Sequence, residues 1–288
     1  MMQKDVINNS GTFSELNPKA KFFEELRAQQ PKWWTLFSKD NELYIDIRKD
    51  NSINVYYYGG SVAKINYSKS KKSFVATIHQ KYLGDDKPRG RTPKGKDKFE
   101  KEPLDLENLN ETTIADIKKR IKNDYVRHIN NEKIAEKWIQ GKMIKENPNY
   151  VDSEFQYNKN SEKLRIDLIE LSEGILSFVE LKNIFNKCLW NDPEKNLKKP
   201  AIIDQMEKYQ SFINKHETDL LDYYKKLIEI KNSLGLTKID YSNITLNKIP
   251  KLIIANTYKK DTRKRQERIL NIENLLKSNS IDYKIIKL

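Results

Sequence analysis

Three residues separate two of the most apolar β-type runs in the chain. Leu164-Arg-Ile-Asp-Leu-Ile-Glu-Leu171 and Ile175-Leu-Ser-Phe-Val-Glu-Leu181 flank Ser172-Glu173-Gly174, a tight turn that predicts an antiparallel hairpin. Side chains two apart on a strand point to one face, so Glu180 and Lys182 project together. The hairpin lays the strand of Asp167 alongside theirs, and two carboxylates and an ammonium converge at one end of a sheet. Charge of this kind is costly to bury unless a metal or partner compensates it. Paired carboxylates are hard oxygen ligands of the kind that suit Mg²⁺ or Mn²⁺.

The remaining periodicities place this hairpin within a larger α+β chain. Asn17-Pro18 reads as an N-cap followed by proline at the first helical position, opening a helix to about Gln29 with Phe22, Phe23 and Leu26 on its apolar face. From Asn41 the period changes to two, and Leu43–Ile47, Ile53–Tyr58, Val62–Tyr67 and Phe74–Ile78 are short β-rich runs separated by turn residues. Helical spacing returns at Ile114, Ile117, Ile121 and Tyr125, and again from about Asn131 to Glu146, with Pro148 beyond. A strand is expected over Tyr150–Tyr157 and helices over Pro200–Lys215 and Thr218–Ser233. A buried strand at Lys251–Asn256, a basic helix over Asp261–Lys277 and a closing strand at Ile281–Leu288 complete the pattern. The expected organisation is an N-terminal antiparallel β-rich α+β module over residues 1–110 and a C-terminal mixed-sheet α/β domain flanked by helices over 111–288.

Charge limits the partners. Lys and Arg number 54 against 41 Asp and Glu, a net +13, so polyanions lead; charge alone does not separate DNA from RNA or an acidic protein. The excess is clustered. Lys87–Lys101 holds Lys87, Arg89, Arg91 and Lys94 among its cations, with Pro and Gly interleaved, and reads as a mobile basic loop. Lys259, Lys260, Arg263 and Arg265 belong to a second cluster at the start of a helix. Alone, each cluster is an ordinary solvated surface; beside a site that acts on a polyanion, both become phosphate contacts. One cysteine and three histidines exclude an internal disulfide and a Cys/His zinc cage. No run approaches 18 apolar residues, and Met1–Ser10 has no apolar core of a signal peptide, so a cytoplasmic protein with no membrane span is expected.

Asp167, then Glu180-Leu-Lys182, then Gln205-Met-Glu-Lys-Tyr209 resembles the PD-(D/E)XK, or restriction-endonuclease-like, nuclease superfamily. The Gln-x-x-x-Tyr element looks like that of RecB-type nucleases. Glu136-Lys-Trp-Ile-Gln140 followed by Asn147-Pro148 is similar to the layout of NucS-type domains. The resemblance covers roughly residues 130–288. It implies Asp167, Glu180 and the Leu181 carbonyl as ligands of Mg²⁺ (or Mn²⁺), Glu136 as holder of a metal-bound water, and Lys182 as the group that positions or activates the attacking water. Gln205 and Tyr209, four apart on one helix face, would brace the site or touch the phosphate backbone. Glu132 and Glu154 compete with Glu136 as the upstream carboxylate.

Other residues carry less. His79, His128 and His216 lack ligand spacing, Cys188 reads as a small buried residue, and no Walker A sequence occurs. Trp33-Trp34 and Tyr56-Tyr57-Tyr58 are either stacking platforms for unpaired bases or, the favoured reading, the aromatic core of a small sheet. The expected function is metal-dependent hydrolysis of DNA phosphodiesters, in defence, restriction or repair. The alternative is a non-catalytic nucleic-acid-binding protein with a vestigial nuclease fold. A homodimer would suit cutting of both strands, although no residue pattern points to one.

Overall fold

The period-two runs of the first hundred residues fold as strands because each can bury one row of largely β-branched side chains. The alternate row is mostly polar or aromatic, and in the first two strands it is itself partly buried, at Asp46, Ser52 and Tyr56. The computed structural model describes residues 16–93, 95–129, 134–159, 162–190 and 200–288. After α1 (Lys21–Gln29) and α2 (Lys32–Ser38) come β1 (Leu43–Arg48), β2 (Ser52–Tyr57), β3 (Gly60–Ser68) and β4 (Ser73–His79). A short α3 (Gln80–Leu83), a two-stranded hairpin of β5 (Gly90–Arg91) and β6 (Asp97–Lys98), β7 (Lys101–Leu104) and α4 (Glu111–Ile129) follow. The first sheet is antiparallel, in the order β1-β2-β3-β4-β7. Ile47, Ile53, Val55, Val62 and Ile65 are fully buried in it, together with Phe23 of α1 and Ile121 of α4.

Three local expectations are corrected. Asn17-Pro18 does not start α1; the Asn17 side chain and carbonyl instead accept the N–H groups of Lys19 and Ala20, both at 2.9 Å, forming a turn before the helix begins at Lys21. The segment 87–101 contains paired backbone, with the Arg89 N–H on the Lys98 carbonyl at 2.8 Å. Its base is clamped by the buried Gln80 side chain, which donates to the Lys87 carbonyl at 2.7 Å and accepts the Glu100 N–H at 2.6 Å. That clamp from outside the segment outweighs its Gly and Pro. Finally, α4 lies beyond residue 110 yet packs on the first sheet, its Ile121 pressed against Gly60 of β3.

The second sheet carries the hairpin from which the sequence argument started. Helix α5 (Glu136–Glu146) leads into β8 (Tyr150–Lys159), β9 (Glu162–Ser172) and β10 (Ile175–Asn183), an antiparallel meander. A 3₁₀ turn (Lys187–Leu189), α6 (Ala201–Lys215), α7 (Glu217–Ser233), the short β11 (Thr245–Leu246), β12 (Lys251–Asn256), α8 (Arg263–Ser278) and β13 (Asp282–Lys287) complete the described chain. Strand order is β13-β12-β10-β9-β8, with β11 beside β10 and the β10-β12 and β12-β13 pairs parallel. Parallel pairing requires helical crossovers, which α6, α7 and α8 supply. Strand β10 is buried at every position after Ile175, as befits a central strand covered on both faces. The whole is an α+β fold.

One hydrophobic core runs through both sheets, and a second, smaller cluster joins Ile139 of α5 to Leu168, Val179, Leu181, Ile253 and Ala255 of the second sheet. Helix α5 sits where the sheets meet: a Cβ on Gly141 would lie 2.4 Å from the Tyr58 backbone, and the Trp138 ring stacks on Tyr58 at 4.5 Å. Only glycine permits that approach. Nearby, Arg48 donates to the Ser153 carbonyl at 2.7 Å and pairs with Asp46 and Asp152, while Lys231 of α7 lies 3.8 Å from Asp46. Among the described residues no helix is long and apolar enough to cross a membrane.

Candidate active site

Alternation on β10 puts Glu180 and Lys182 on one face, where they form a buried ion pair between Lys182 Nζ and Glu180 Oε1. The register of β9 against β10 pairs Leu168 with Val179, so Asp167 comes next to Glu180 along the ladder. Asp167 Oδ2 accepts the Leu181 N–H at 3.1 Å. Helix α6 then crosses this end of the sheet. Gln205 Nε2 donates to Glu180 Oε1 at 2.7 Å and to the Tyr209 hydroxyl at 2.6 Å. The Tyr209 hydroxyl also lies 3.1 Å from Glu180 Oε2 and is bonded to the Arg165 carbonyl.

The fourth element is α5. Glu136 occupies its first turn, where the helix dipole favours a carboxylate. Its Oε1 accepts the Asn183 N–H at 2.9 Å and the Asn186 side-chain amide at 2.7 Å. One turn later the buried Gln140 donates to the backbone carbonyl of Asp167. The helix therefore holds two adjacent strands of the site at once.

Glu136, Asp167, Glu180, Lys182, Gln205 and Tyr209 line one cleft of about 480 Å³. Lys163, Arg165 and Lys208 line it as well. Strand alternation puts Lys163 and Arg165 on the Asp167 face, a signal present in the sequence, and Lys208 lies three residues past Gln205 on α6. Gln140, Asn183 and Asn186 also hold the site together, although the sequence pattern does not single them out as site residues. Gln140 ends the Glu136–Gln140 helix motif, whereas nothing local marks the two asparagines.

Electrostatics set the cleft apart. Burial, reinforced by the nearby Asp167 charge, pushes the Glu180 carboxyl up to about 7. Burial likewise raises the Asp167 carboxyl, against the pull of Lys182. Burial opposes the Lys182 charge, but Glu180 and Asp167 outweigh it and hold the ammonium above its ordinary range. Burial also raises the Tyr209 hydroxyl far up, keeping it a neutral donor.

Of the basic residues expected to touch nucleic acid, none of the described ones lines this cleft. Lys87 and Arg91 are exposed on the first half of the chain, and Arg89 is engaged by Asp85 at 2.8 Å and Glu102 at 3.4 Å. Lys94 lies outside the described residues, as do Glu132 and the His128 side chain. Lys259 and Lys260 are exposed, Arg263 pairs with Glu267 at 2.9 Å, and Arg265 reaches the Lys260 carbonyl at 2.8 Å. Glu154 pairs with Lys137 at 2.6 Å and lies 4.0 Å from Arg165 of the cleft rim, but does not itself line the cleft. Trp33 and Trp34 are 5% and 3% exposed and belong to the core, which removes them as stacking platforms. Tyr56 and Tyr57 are buried too, and Tyr58 is covered by Trp138. Burial pushes the Cys188 thiol up to about 11, which suits an unreactive side chain.

Among the described residues no cluster of three or more His, Cys, Asp and Glu stands ready to hold a metal. The donor set nevertheless fits a hard divalent cation in kind. Asp167 and Glu180 line the same cleft, and each carries an unfavourable charge that a cation between them would compensate. Leu181 meets Asp167 through its N–H, leaving its carbonyl as the atom that could join them.

No family model, curated protein or solved structure matches this chain.

Proposed function

We propose that the chain is a metal-dependent nuclease that hydrolyses DNA phosphodiesters in the cytoplasm, with Asp167 and Glu180 as ligands of Mg²⁺ or Mn²⁺. The observation that carries this reading is the convergence of Asp167, Glu180, Lys182 and Glu136 in one cleft rimmed by Lys163, Arg165 and Lys208. When bound, the cation supplies Lewis-acid polarisation of a phosphoryl oxygen and lowers the pKa of water. The chain's own side chains do the rest. Lys163, Arg165 and Lys208 attract the strand's phosphates, and the Lys182 ammonium offsets negative charge at the scissile group and orients the attacking water. Gln205 and Tyr209 hold the Glu180 carboxylate in place, Gln140 fixes the Asp167 backbone, and Glu136 serves as acceptor at the cleft edge.

A second reading has its own support. Both Glu180 oxygens already have partners, Oε1 in Lys182 and Gln205 and Oε2 in Tyr209, as expected of a nuclease fold kept only to bind nucleic acid. The deciding experiment incubates labelled linear, circular, single-stranded and double-stranded DNA with Mg²⁺ or Mn²⁺ and the protein, beside Asp167→Ala and Lys182→Ala. Cleavage by the wild type alone is expected. Equal nicking by all three overturns the catalytic assignment, and binding without cutting establishes the second reading.

A further inference from the structure

Beyond the cleft, the same end of β10 leads into a larger groove. The segment that follows the strand, with Phe185 and Trp190, packs against Tyr258 and the first turns of α8, and together they line a groove of about 850 Å³. The stretch Asn183–Asn186 links the two sites. Asn186, one residue past Phe185, is the side chain that donates to Glu136 at 2.7 Å, and Phe185 N–H bonds to the Asn183 side chain at 3.0 Å.

The groove is lined by aromatic rings and cations together. Phe185 and Tyr258 meet edge to face at 5.0 Å, Arg265 lies over the Tyr258 ring at 4.6 Å, and Arg268 lies over the Trp190 ring at 3.4 Å. Lys264 adds a further positive charge, and Glu267, the one acidic lining residue among those described, is paired with Arg263. Helix α8 begins here without a side-chain cap from Thr262, so the positive end of its dipole faces the same space.

An independent observation points to a ligand. Tyr258 is 8% exposed, yet its hydroxyl has no hydrogen-bond partner. Buried hydroxyls in folded proteins nearly always find one, because leaving them unpaired costs free energy. Tyr258 is one of the residues that line the groove, so this unpaired group lies in the groove wall.

Planar aromatic walls, phosphate-seeking cations and one unsatisfied hydroxyl together match an unpaired nucleotide. We propose that this groove holds one unstacked nucleotide of a single strand beside the cleft, its base against Trp190, Phe185 and Tyr258 and its phosphate toward Lys264, Arg265 and the start of α8. The inference rests on the nucleic-acid reading and extends it: the substrate carries at least one unpaired base next to the cut.

The test uses the full chain in EDTA, so that no cutting intervenes, and a fluorescein-labelled oligo(dT) of about 12 nucleotides. Trp190→Ala should weaken binding about tenfold, with Trp190→Phe restoring most of it, and Tyr258→Phe should weaken it a few-fold. An abasic sugar–phosphate strand of equal length should bind weakly and respond to neither substitution. The proposal is overturned if folded Trp190→Ala and Tyr258→Phe both bind oligo(dT) like the wild type, or if the abasic strand binds as tightly. The same proteins are then assayed for cleavage with Mn²⁺. A wild type that cuts DNA while the groove variants bind single strands unchanged removes the groove and leaves the nuclease. A wild type that neither binds nor cuts any nucleic acid removes both.

Discussion

Glu136 and Asn183 are joined across the site: the carboxylate in the first turn of α5 accepts the backbone N–H at the end of β10, 2.9 Å away and 47 residues on in sequence. This contact makes Glu136 a structural tie as well as a cleft residue. Glu136→Ala should leave that half-buried N–H without its acceptor and cost about 1–3 kcal/mol in urea unfolding. Glu136→Gln keeps an acceptor oxygen, so its stability should stay close to wild type while DNA cleavage falls by about two orders of magnitude. Equal cleavage by Glu136→Gln and wild type would confine Glu136 to the structural role.

The Glu180–Lys182 pair can be tested for function apart from stability. Removing Lys182 alone strands a buried carboxylate, and Lys182→Met should destabilise the fold by about 3–5 kcal/mol. The double variant Glu180→Gln with Lys182→Met carries no buried charge at these two positions. It should recover most of the lost stability in thermal or urea unfolding while remaining without cleavage. A double variant as unstable as the single one would show that charge compensation is not what holds this pair.

Close approach of α5 to the first sheet couples the two halves of the chain. In Gly141→Ala the new methyl carbon would meet the Tyr58 backbone at 2.4 Å, forcing the helix away. A loss of about 1–3 kcal/mol is expected. Because Gln140 and Glu136 ride on the same helix, cleavage should fall with it even though residue 141 does not line the cleft. Unfolding curves and cleavage rates of the one variant measure both effects.

A pH dependence should come from the junction between the sheets. Asp152 is surrounded by Asp46, Arg48, Lys231, Ser153, Tyr223 and Tyr224; burial, with Asp46 adding to it, pushes its carboxyl up to about 7. An unfolded aspartate titrates near ~3.9, so between about pH 4 and 7 the folded chain keeps a proton that the unfolded chain has released. This contribution to stability is therefore present at low pH and is lost as pH rises through that window. Asp152→Asn abolishes the titration. Its stability relative to wild type should improve by roughly 1–4 kcal/mol between about pH 5 and pH 8, measured by urea unfolding at each. A constant difference at the two values would exclude a raised Asp152.

Phosphate contact by the cleft rim has a salt signature. Arg165 projects from the strand that carries Asp167, and its side chain is 54% exposed. Arg165→Gln should weaken DNA binding similarly for all sequences and lower the slope of log K against log salt by about 1. An unchanged slope would place the strand elsewhere.

Much of the second sheet was legible because its signals are local. Strand alternation placed Glu180 beside Lys182, a tight turn (Glu173-Gly174 in the structure, with Ser172 already paired to Ile175) brought Asp167 alongside, and a four-residue spacing put Gln205 and Tyr209 on one helix face. The segment 87–101 misled for the opposite reason. Its Gly and Pro spoke for irregular chain, while the ordering comes from Gln80, which no local pattern in that segment reveals.

Alone, the sequence determined the elements and the chemistry they carry: an α+β chain, basic overall, with a few carboxylates spaced to share a strand face. The periodicity of burial sets such features, and periodicity is written residue by residue. Only the tertiary structure decided which cations rim the cleft, that Lys163, Arg165 and Lys208 do so while Arg265 of the second basic cluster lines the neighbouring groove, and that Asn183 and Asn186 hold Glu136. It alone decided that Trp33 and Trp34 are core and that Trp190 and Tyr258 share a groove. Those outcomes depend on which surfaces pack together across tens of residues, through contacts whose free energies arise from desolvation and close fit rather than from the propensities of neighbouring residues.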